Sequence, residues 1–460
     1  MPKEKFKKFK SLAANLLPHE SEYLIQSIKS TDPDKLAILK NLASYVSQHS
    51  PKEPLVVDEK IDKRKYSNLL HWIQSELLKI DVDQKLQWTT STHELILLDR
   101  VHPEREQHLI NAAKQFTSSD FNFLRFYDML IAYKHYLLIR MRYNEYQIID
   151  QITQKYHYDY QRSKLIYEQL QQATVDIIGL GGSSLKREAI QWKNWLFQNF
   201  KNPQLDGLNR HMSAIRYIFV CLRYGAMDDL GHMLDLMDIF FKNGQNYSRR
   251  LLVNFYDNKL VYHDKSNNYK EAKFYGYLSI KYDQNDSIIY RNNLINLLIK
   301  NLQFTEALKV IESTDFKIKN TRNFHSAIGF ISNHIRCLTK TNHVKEAVLK
   351  GRVFLNAYSS NIIKYRWHRF FSAYHGALLS QELYTEIIKN SEKYKLYEKE
   401  LNQYSKREDK KLLTIFYYIA LYKTNKLDRL NFQKKMKVIL RKQDEPLYDS
   451  ELLNIVNQIK

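Results

Sequence analysis

Asn292, Asn296 and Lys300 are spaced in fours, and so are Arg336 and Lys340. On a helix that spacing keeps side chains on one face. These residue types donate hydrogen bonds and carry positive charge, so the chemistry they offer is recognition of an anion such as a carboxylate. Further on, Tyr365-Arg366-Trp367-His368-Arg369-Phe370-Phe371 interleaves rings with arginines, a composition that can stack on and clamp single-stranded nucleic acid when the rings are exposed. Here Trp367, Phe370, Phe371 and Tyr374 fall at i, i+3, i+4 and i+7, the core stripe of an amphipathic helix. Arg366 and Arg369 are then expected free on another face. A third set is denser in charge. Between Lys389 and Lys442 stand 16 Lys and Arg against six Asp and Glu, and Lys410, Lys411, Lys434, Lys435, Lys437 and Arg441 are its candidates for contact with a polyanion.

Bond-making chemistry has no comparable signal. His19-Glu20 and His93-Glu94 each lack the second histidine of a zinc-protease helix, and His102 and His108, six apart, do not share a helix face. No Gly-x-Ser-x-Gly elbow is present, and Cys221 and Cys337 sit in apolar stretches without a basic or glycine-lined setting. Acidic pairs such as Asp228-Asp229 and Glu408-Asp409 read as helix starts, where the dipole favours them. The run Gly179-Leu180-Gly181-Gly182-Ser183-Ser184 lacks both dinucleotide spacing and a Gly-Lys-Ser/Thr, and reads as a helix C-cap and a loop between blocks. The expectation is a protein that is not an enzyme and that needs no cofactor or metal.

The elements that position these residues follow from what the chain lacks. Its 460 residues hold 11 Gly and 8 Pro, no glycine precedes Gly179, and no proline lies between Pro203 and Pro446. Hairpins, bulges and tight strand-to-helix loops consume these two residues, so sandwiches, barrels and doubly wound sheets are excluded and an all-α fold is expected. The length exceeds the roughly 250–300 residues one core supports, which calls for several helical units or an extended stack. Net charge is +21, a field that favours acidic partners, although plentiful Lys, Asn, Ile and Tyr also suit an AT-rich coding bias. Two cysteines without paired spacing fit a reducing compartment. The basic start Lys5-Phe6-Lys7-Lys8-Phe9-Lys10 is followed by an apolar stretch that Pro18 ends too early for a signal peptide. The longest apolar run, Leu412 to Tyr422, has 11 residues, where a membrane span needs about 20. A cytoplasmic protein is expected.

Punctuation divides the chain. Residues 1–50 read as short helices broken by Pro18 and Pro33, with Asp32-Pro33-Asp34 in the form of an N-cap and a first-turn proline. Residues 51–62, opened by Pro51 and Pro54, read as a linker. Residues 63–178 form a helical block, with starts at His102-Pro103-Glu104 and Ser119-Asp120 and one long helix from Asn144 to Ala173 carrying Tyr146, Tyr156, Tyr160 and Tyr167. Residues 185–460 are repetitive.

An aromatic or aliphatic residue, a spacer, Glu and Ala recur as Tyr269-Lys270-Glu271-Ala272, Phe304-Thr305-Glu306-Ala307 and Val344-Lys345-Glu346-Ala347. Tyr384-Thr385-Glu386-Ile387 is a degenerate copy, and Met227-Asp228-Asp229-Leu230 and Leu427-Asp428-Arg429-Leu430 are weaker ones. Successive copies lie 42, 35, 40, 40 and 43 residues apart. Helix–turn–helix units of that length cannot bury their faces alone and stack. The expected architecture is therefore an α-solenoid of stacked antiparallel helix pairs, preceded by N-terminal helical segments.

Over about residues 205–445 the chain resembles the tetratricopeptide-repeat family, through the opening of that repeat's second helix, best seen in Phe304-Thr305-Glu306-Ala307-Leu308. Its spacing is longer than the family's and less regular, the first-helix Trp and Leu-Gly pattern is missing, and no proline closes a unit. Longer helices are implied. The resemblance also implies a concave groove lined by first helices, in which some members hold a peptide's terminal carboxylate with Asn, Lys and Arg. A 40-residue offset makes Asn292, Ser332 and Ser372 equivalent, then Asn296, Arg336 and Gly376, then Lys300, Lys340 and Ser380. Asn292, Asn296, Lys300, Arg336 and Lys340 thus become groove candidates, with Arg366 and Arg369 beside them. The function expected is a scaffold binding a protein or peptide, acidic in character. The alternative is a nucleic-acid-binding helical repeat that uses its basic C-terminal face.

Overall fold

Helix starts follow the local chemistry closely. Asp32 caps its helix by accepting a hydrogen bond from the Asp34 amide at 3.0 Å, with Pro33 in the first turn. Pro18 and Pro103 take the same first-turn place in their helices. The computed structural model describes residues 6–48, 55–178, 185–282, 288–314, 323–403 and 411–440. Among them are 23 helices and no strand. The Pro51–Pro54 stretch and the Gly179–Ser184 run lie outside the described residues.

The chain divides into two compact units, residues 1–282 and 283–460. The first holds α1 (Lys7–Asn15), α2 (Pro18–Ser27), α3 (Pro33–Val46), α4 (Lys63–Ile80), α5 (Val82–Leu97), α6 (Pro103–Gln115), α7 (Phe123–Ile139), α8 (Tyr143–Lys155), α9 (His157–Ile178), α10 (Leu185–Lys201), α11 (Gly207–Tyr224), α12 (Met227–Lys242), α13 (Arg249–Lys265) and α14 (Tyr269–Ser279). The second holds α15 (Ile288–Lys300), α16 (Phe304–Glu312), α17 (Phe324–Lys340), α18 (Val344–Tyr365), α19 (Trp367–Ser380), α20 (Tyr384–Lys393), α21 (Leu396–Gln403), α22 (Leu412–Lys423) and α23 (Arg429–Leu440).

Two expectations about unit 1 are corrected. The long helix from Asn144 to Ala173 is broken at Tyr156, whose backbone (φ −100°, ψ 8°) ends α8. The break lets the Tyr156 ring pack edge-on against Phe116 and Phe123 while its hydroxyl donates to the Phe116 carbonyl at 2.9 Å. One turn on, Tyr160 stacks on Tyr127 at 4.2 Å. Tertiary packing overrides a helical pattern here. The second correction is at Ser119-Asp120, where Asp120 closes a turn by accepting from the Thr117 amide and α7 begins only at Phe123.

Unit 1 also fastens its N-terminal helices to its last ones. The fully buried Glu20 carboxylate accepts from Arg249 Nε at 2.7 Å, from the Tyr247 hydroxyl and from the Leu17 amide at 2.9 Å. Beside it, His19 is hydrogen-bonded to the Tyr256 hydroxyl at 2.8 Å and to Asp238 at 3.0 Å.

Six turns near the recurring sequence pattern share one geometry, which Asp99, Met141 and Gly244 adopt as well. Gly225, Asn267, Leu302, Asn342, Glu382 and Asn425 all adopt left-handed backbone, with φ between 55° and 71°. In each turn the following residue donates its amide to the carbonyl five positions back, as in Gln303 to Leu298 at 2.8 Å and His343 to Leu338 at 2.8 Å. That is the Schellman closure of a helix. The next helix starts two residues after the left-handed position at Met227, Tyr269, Phe304, Val344 and Tyr384. Leu230, Ala272, Ala307, Ala347 and Ile387, the fourth residues of those starts, are fully buried. At the sixth turn the helix starts later, at Arg429, and Leu430 is exposed.

In unit 2, α17 packs against α15, α16, α18 and α19. The approach of α18 to α19 depends on Gly351, where a Cβ would stand 2.3 Å from the Tyr374 ring.

Candidate anion-binding site

Three helices of unit 2 build the site. On α15 stand Asn292 and Asn296; on α17, His325, Gly329, Asn333 and Arg336; and on the N-cap and first turn of α19, Arg366 and Arg369. The apolar members of that last segment behave as a core stripe, with Trp367, Phe370, Phe371 and Tyr374 all buried. Their burial fixes α19 in rotation and turns the two arginines toward α17.

Neither arginine is free, contrary to expectation. Arg369 Nη2 donates to Asn333 Oδ1 at 2.9 Å and to Asn296 Oδ1, and Asn333 Nδ2 donates to the same Asn296 oxygen at 2.9 Å. Arg366 Nε donates to His325 Nε2 at 2.8 Å. The Arg366 guanidinium comes close to the α17 backbone at Gly329, where a Cβ would stand 3.0 Å from Nη1. Asn292 Nδ2 donates to the Ser326 carbonyl at 2.9 Å, and its Oδ1 is buried without a hydrogen-bond partner among the described residues.

Every partner of Arg366 and Arg369 is neutral. Some arginines elsewhere differ: Arg142 joins Glu106 and Glu145 at 2.7 Å each, and Arg352 joins Glu386 at 2.6 Å, whereas Arg105, Arg210 and Arg216 are, like this pair, held by neutral groups of their own unit. Among the described residues no carboxylate reaches Arg366 or Arg369. The electrostatics follow from that. Burial, with Arg366 and Arg336 nearby, pushes the Arg369 guanidinium down to about 10. Burial also lowers Arg366. His325 is lowered by burial and then by both arginines, in keeping with a neutral ring accepting from Arg366. Partly buried cations held by neutral groups keep charge and N–H donors available for hydrogen bonds to an anion.

Comparison with protein-family models, with curated proteins and with solved structures finds no match to this chain.

The other sequence candidates are placed as follows. Lys300 and Lys340 are the last residues of α15 and α17, the first exposed and the second half-buried, and Arg336 is exposed near Arg369. The 40-residue offset does not describe which groups meet. Ser332 and Ser372 turn back to their own helices, donating to the Ile328 and His368 carbonyls at 2.6 Å. Asn296 meets Asn333 rather than Arg336. Asn333 and His325 were missed by sequence reasoning. The available signal was Asn333, a buried polar residue in the mostly apolar stretch 327–338.

On the basic C-terminal stretch, Lys434, Lys435 and Lys437 are exposed on α23, and Lys411 is half-buried at the N-cap of α22. Lys410 and Arg441 lie outside the described residues. One acid of this stretch is spent inside the fold. Glu400 is buried, accepting from the Leu413 amide at 3.1 Å and the Thr414 amide at 2.8 Å and pairing with His368 Nε2 at 2.8 Å.

Cys221 and Cys337 are buried, and burial pushes their thiols up to about 11 and about 12. Among the described residues no group of His, Cys, Asp and Glu could hold a metal ion, and no helix is long and apolar enough to cross a membrane.

Proposed function

We propose that the chain is a non-enzymatic scaffold, an α-solenoid of stacked helix pairs whose second unit holds an acidic protein or peptide. The stacked-pair reading is supported by the six turns of common geometry and by the buried fourth residue of the helix that follows five of them. The functional reading is carried by one observation: Arg366 and Arg369 are partly buried and held by Asn296, Asn333 and His325 with no carboxylate among the described residues. Two thiols, both buried and neither in a disulfide, suit the reducing cytoplasm in which we place the protein.

The test is fluorescence anisotropy of a labelled Glu/Asp-rich peptide. Losing a charge-assisted contact costs about 1.5–3 kcal/mol, or ten- to a hundredfold in affinity. Arg336→Ala with Lys340→Ala, and separately Arg366→Gln, should each weaken binding by that much while leaving the melting temperature near that of the parent. If the groove variants are silent and neutralising Lys434, Lys435 and Lys437 abolishes binding, the polyanion reading replaces this one. That second reading is favoured by the three exposed lysines on α23.

A further inference from the structure

The balance of charge and donors at the Arg366–Arg369 site discriminates between anions. Two guanidiniums reach it, and Arg336 adds its field. Arg366 uses only Nε and Arg369 only Nη2 in hydrogen bonds, so Arg366 Nη1 and Nη2 and Arg369 Nε and Nη1 make none among the described residues. A single carboxylate brings one charge and two oxygens, which leaves a guanidinium uncompensated in a partly desolvated place. A phosphate monoester brings close to two charges and three strong acceptor oxygens. Guanidiniums recognise such groups with paired, parallel N–H donors. The supporting groups add no charge of their own: Asn296, Asn333 and His325 fix the orientation of the cations without neutralising them, and Gly329 allows Arg366 Nη1 to approach α17 closely.

We infer that the site formed by Arg366 and Arg369, with Arg336 at its margin, binds the phosphate monoester of a phosphorylated side chain. This rests on the anionic-groove reading above and specifies its ligand.

The experiment titrates the full chain, by calorimetry at low ionic strength, with three probes: blocked phosphoserine (N-acetyl, N′-methylamide), identically blocked aspartate, and inorganic phosphate. Blocked phosphoserine should bind at least about tenfold more tightly than blocked aspartate. Arg369→Lys, which keeps the charge and loses the fork, should remove about tenfold of that affinity. Arg369 bridges two helices, so Arg366→Gln serves as the second variant, checked for a parental melting curve, and it too should weaken phosphoserine. Neutralising Lys434, Lys435 and Lys437 should leave it unchanged. Equal binding of the two blocked amino acids, both sensitive to Arg366→Gln, overturns the phosphate inference and leaves the anionic groove standing. Binding of inorganic phosphate without blocked phosphoserine makes free phosphate the occupant and overturns the side-chain assignment. Binding of no probe, or loss of binding only with the lysine variants, overturns both the inference and the groove.

Discussion

At the scale of single residues, the recognition proposed for Arg366 and Arg369 rests on what their neighbours lack. Their types and place on a face away from the core stripe were legible in the sequence, because Trp367, Phe370, Phe371 and Tyr374 announce that stripe. Their supports were not, since Asn333 and His325 come from a neighbouring helix whose lateral register the repeat spacing does not fix. A second residue has a sharper thermodynamic signature. His375 is fully buried, neither ring nitrogen has a hydrogen-bond partner among the described residues, and burial pushes its pKa from 6.5 down to about 3. The unfolded chain takes up a proton near pH 6.5 and the folded one only near 3. The stabilisation is therefore complete above about pH 6.5 and is lost as pH falls toward 3, by an amount on the order of a few kcal/mol. His375→Leu should flatten the fall in melting temperature between about pH 7 and about pH 4 and should melt above the parent at the acid end. Parallel melting curves across that range would show that His375 does not titrate as described.

At the scale of elements, helix starts were the most readable feature. Asp32-Pro33, His102-Pro103 and five copies of the aromatic-x-Glu-Ala pattern coincide with first turns, because capping and proline chemistry act locally. The break at Tyr156 was hidden, since its cause is a pocket made by Phe116 and Phe123 on other helices. Two predictions belong here. Ala307 and Ala347 are fully buried at starts that pack against a preceding helix, so Ala307→Phe and Ala347→Phe should each cost about 1–3 kcal/mol. Denaturation midpoints equal to the parent's would place both alanines outside a packed crossing. Leu302 holds the left-handed closing position (φ 59°) with its side chain 76% exposed. Glycine adopts that backbone without strain, and little burial is lost. Leu302→Gly should therefore stabilise unit 2 by about 0.5–1 kcal/mol, read as a higher urea midpoint at unchanged slope.

At the scale of the whole molecule, helix content was legible from the scarcity of glycine and proline, while the division into units was not. Prolines pointed to residues 51–62 and glycines to 179–184, yet the compact units part between residues 282 and 283. The sequence there is Asp283-Gln284-Asn285-Asp286, a polar run with neither of the residues that usually punctuate a chain. The net charge of +21 also acts at this scale. A field of that size favours polyanions, whose binding releases counterions. Heparin or single-stranded DNA should bind with an affinity that falls steeply as salt rises, on a linear log–log plot, and Lys434→Gln with Lys435→Gln and Lys437→Gln should reduce that slope. Peptide capture through Arg366 and Arg369 should depend on salt more weakly, since fewer ions are released.

The two thiols give the molecule a pair of internal clocks. Cys221 belongs to the first unit and Cys337 to the second, and each is buried with its thiolate form suppressed. A thiol reagent therefore modifies each only when its own surroundings open. The labelling rate of Cys221 reports excursions of residues 1–282, and that of Cys337 reports excursions of residues 283–460. A ligand seated at Arg366 and Arg369 should slow the second clock and leave the first running at its original pace.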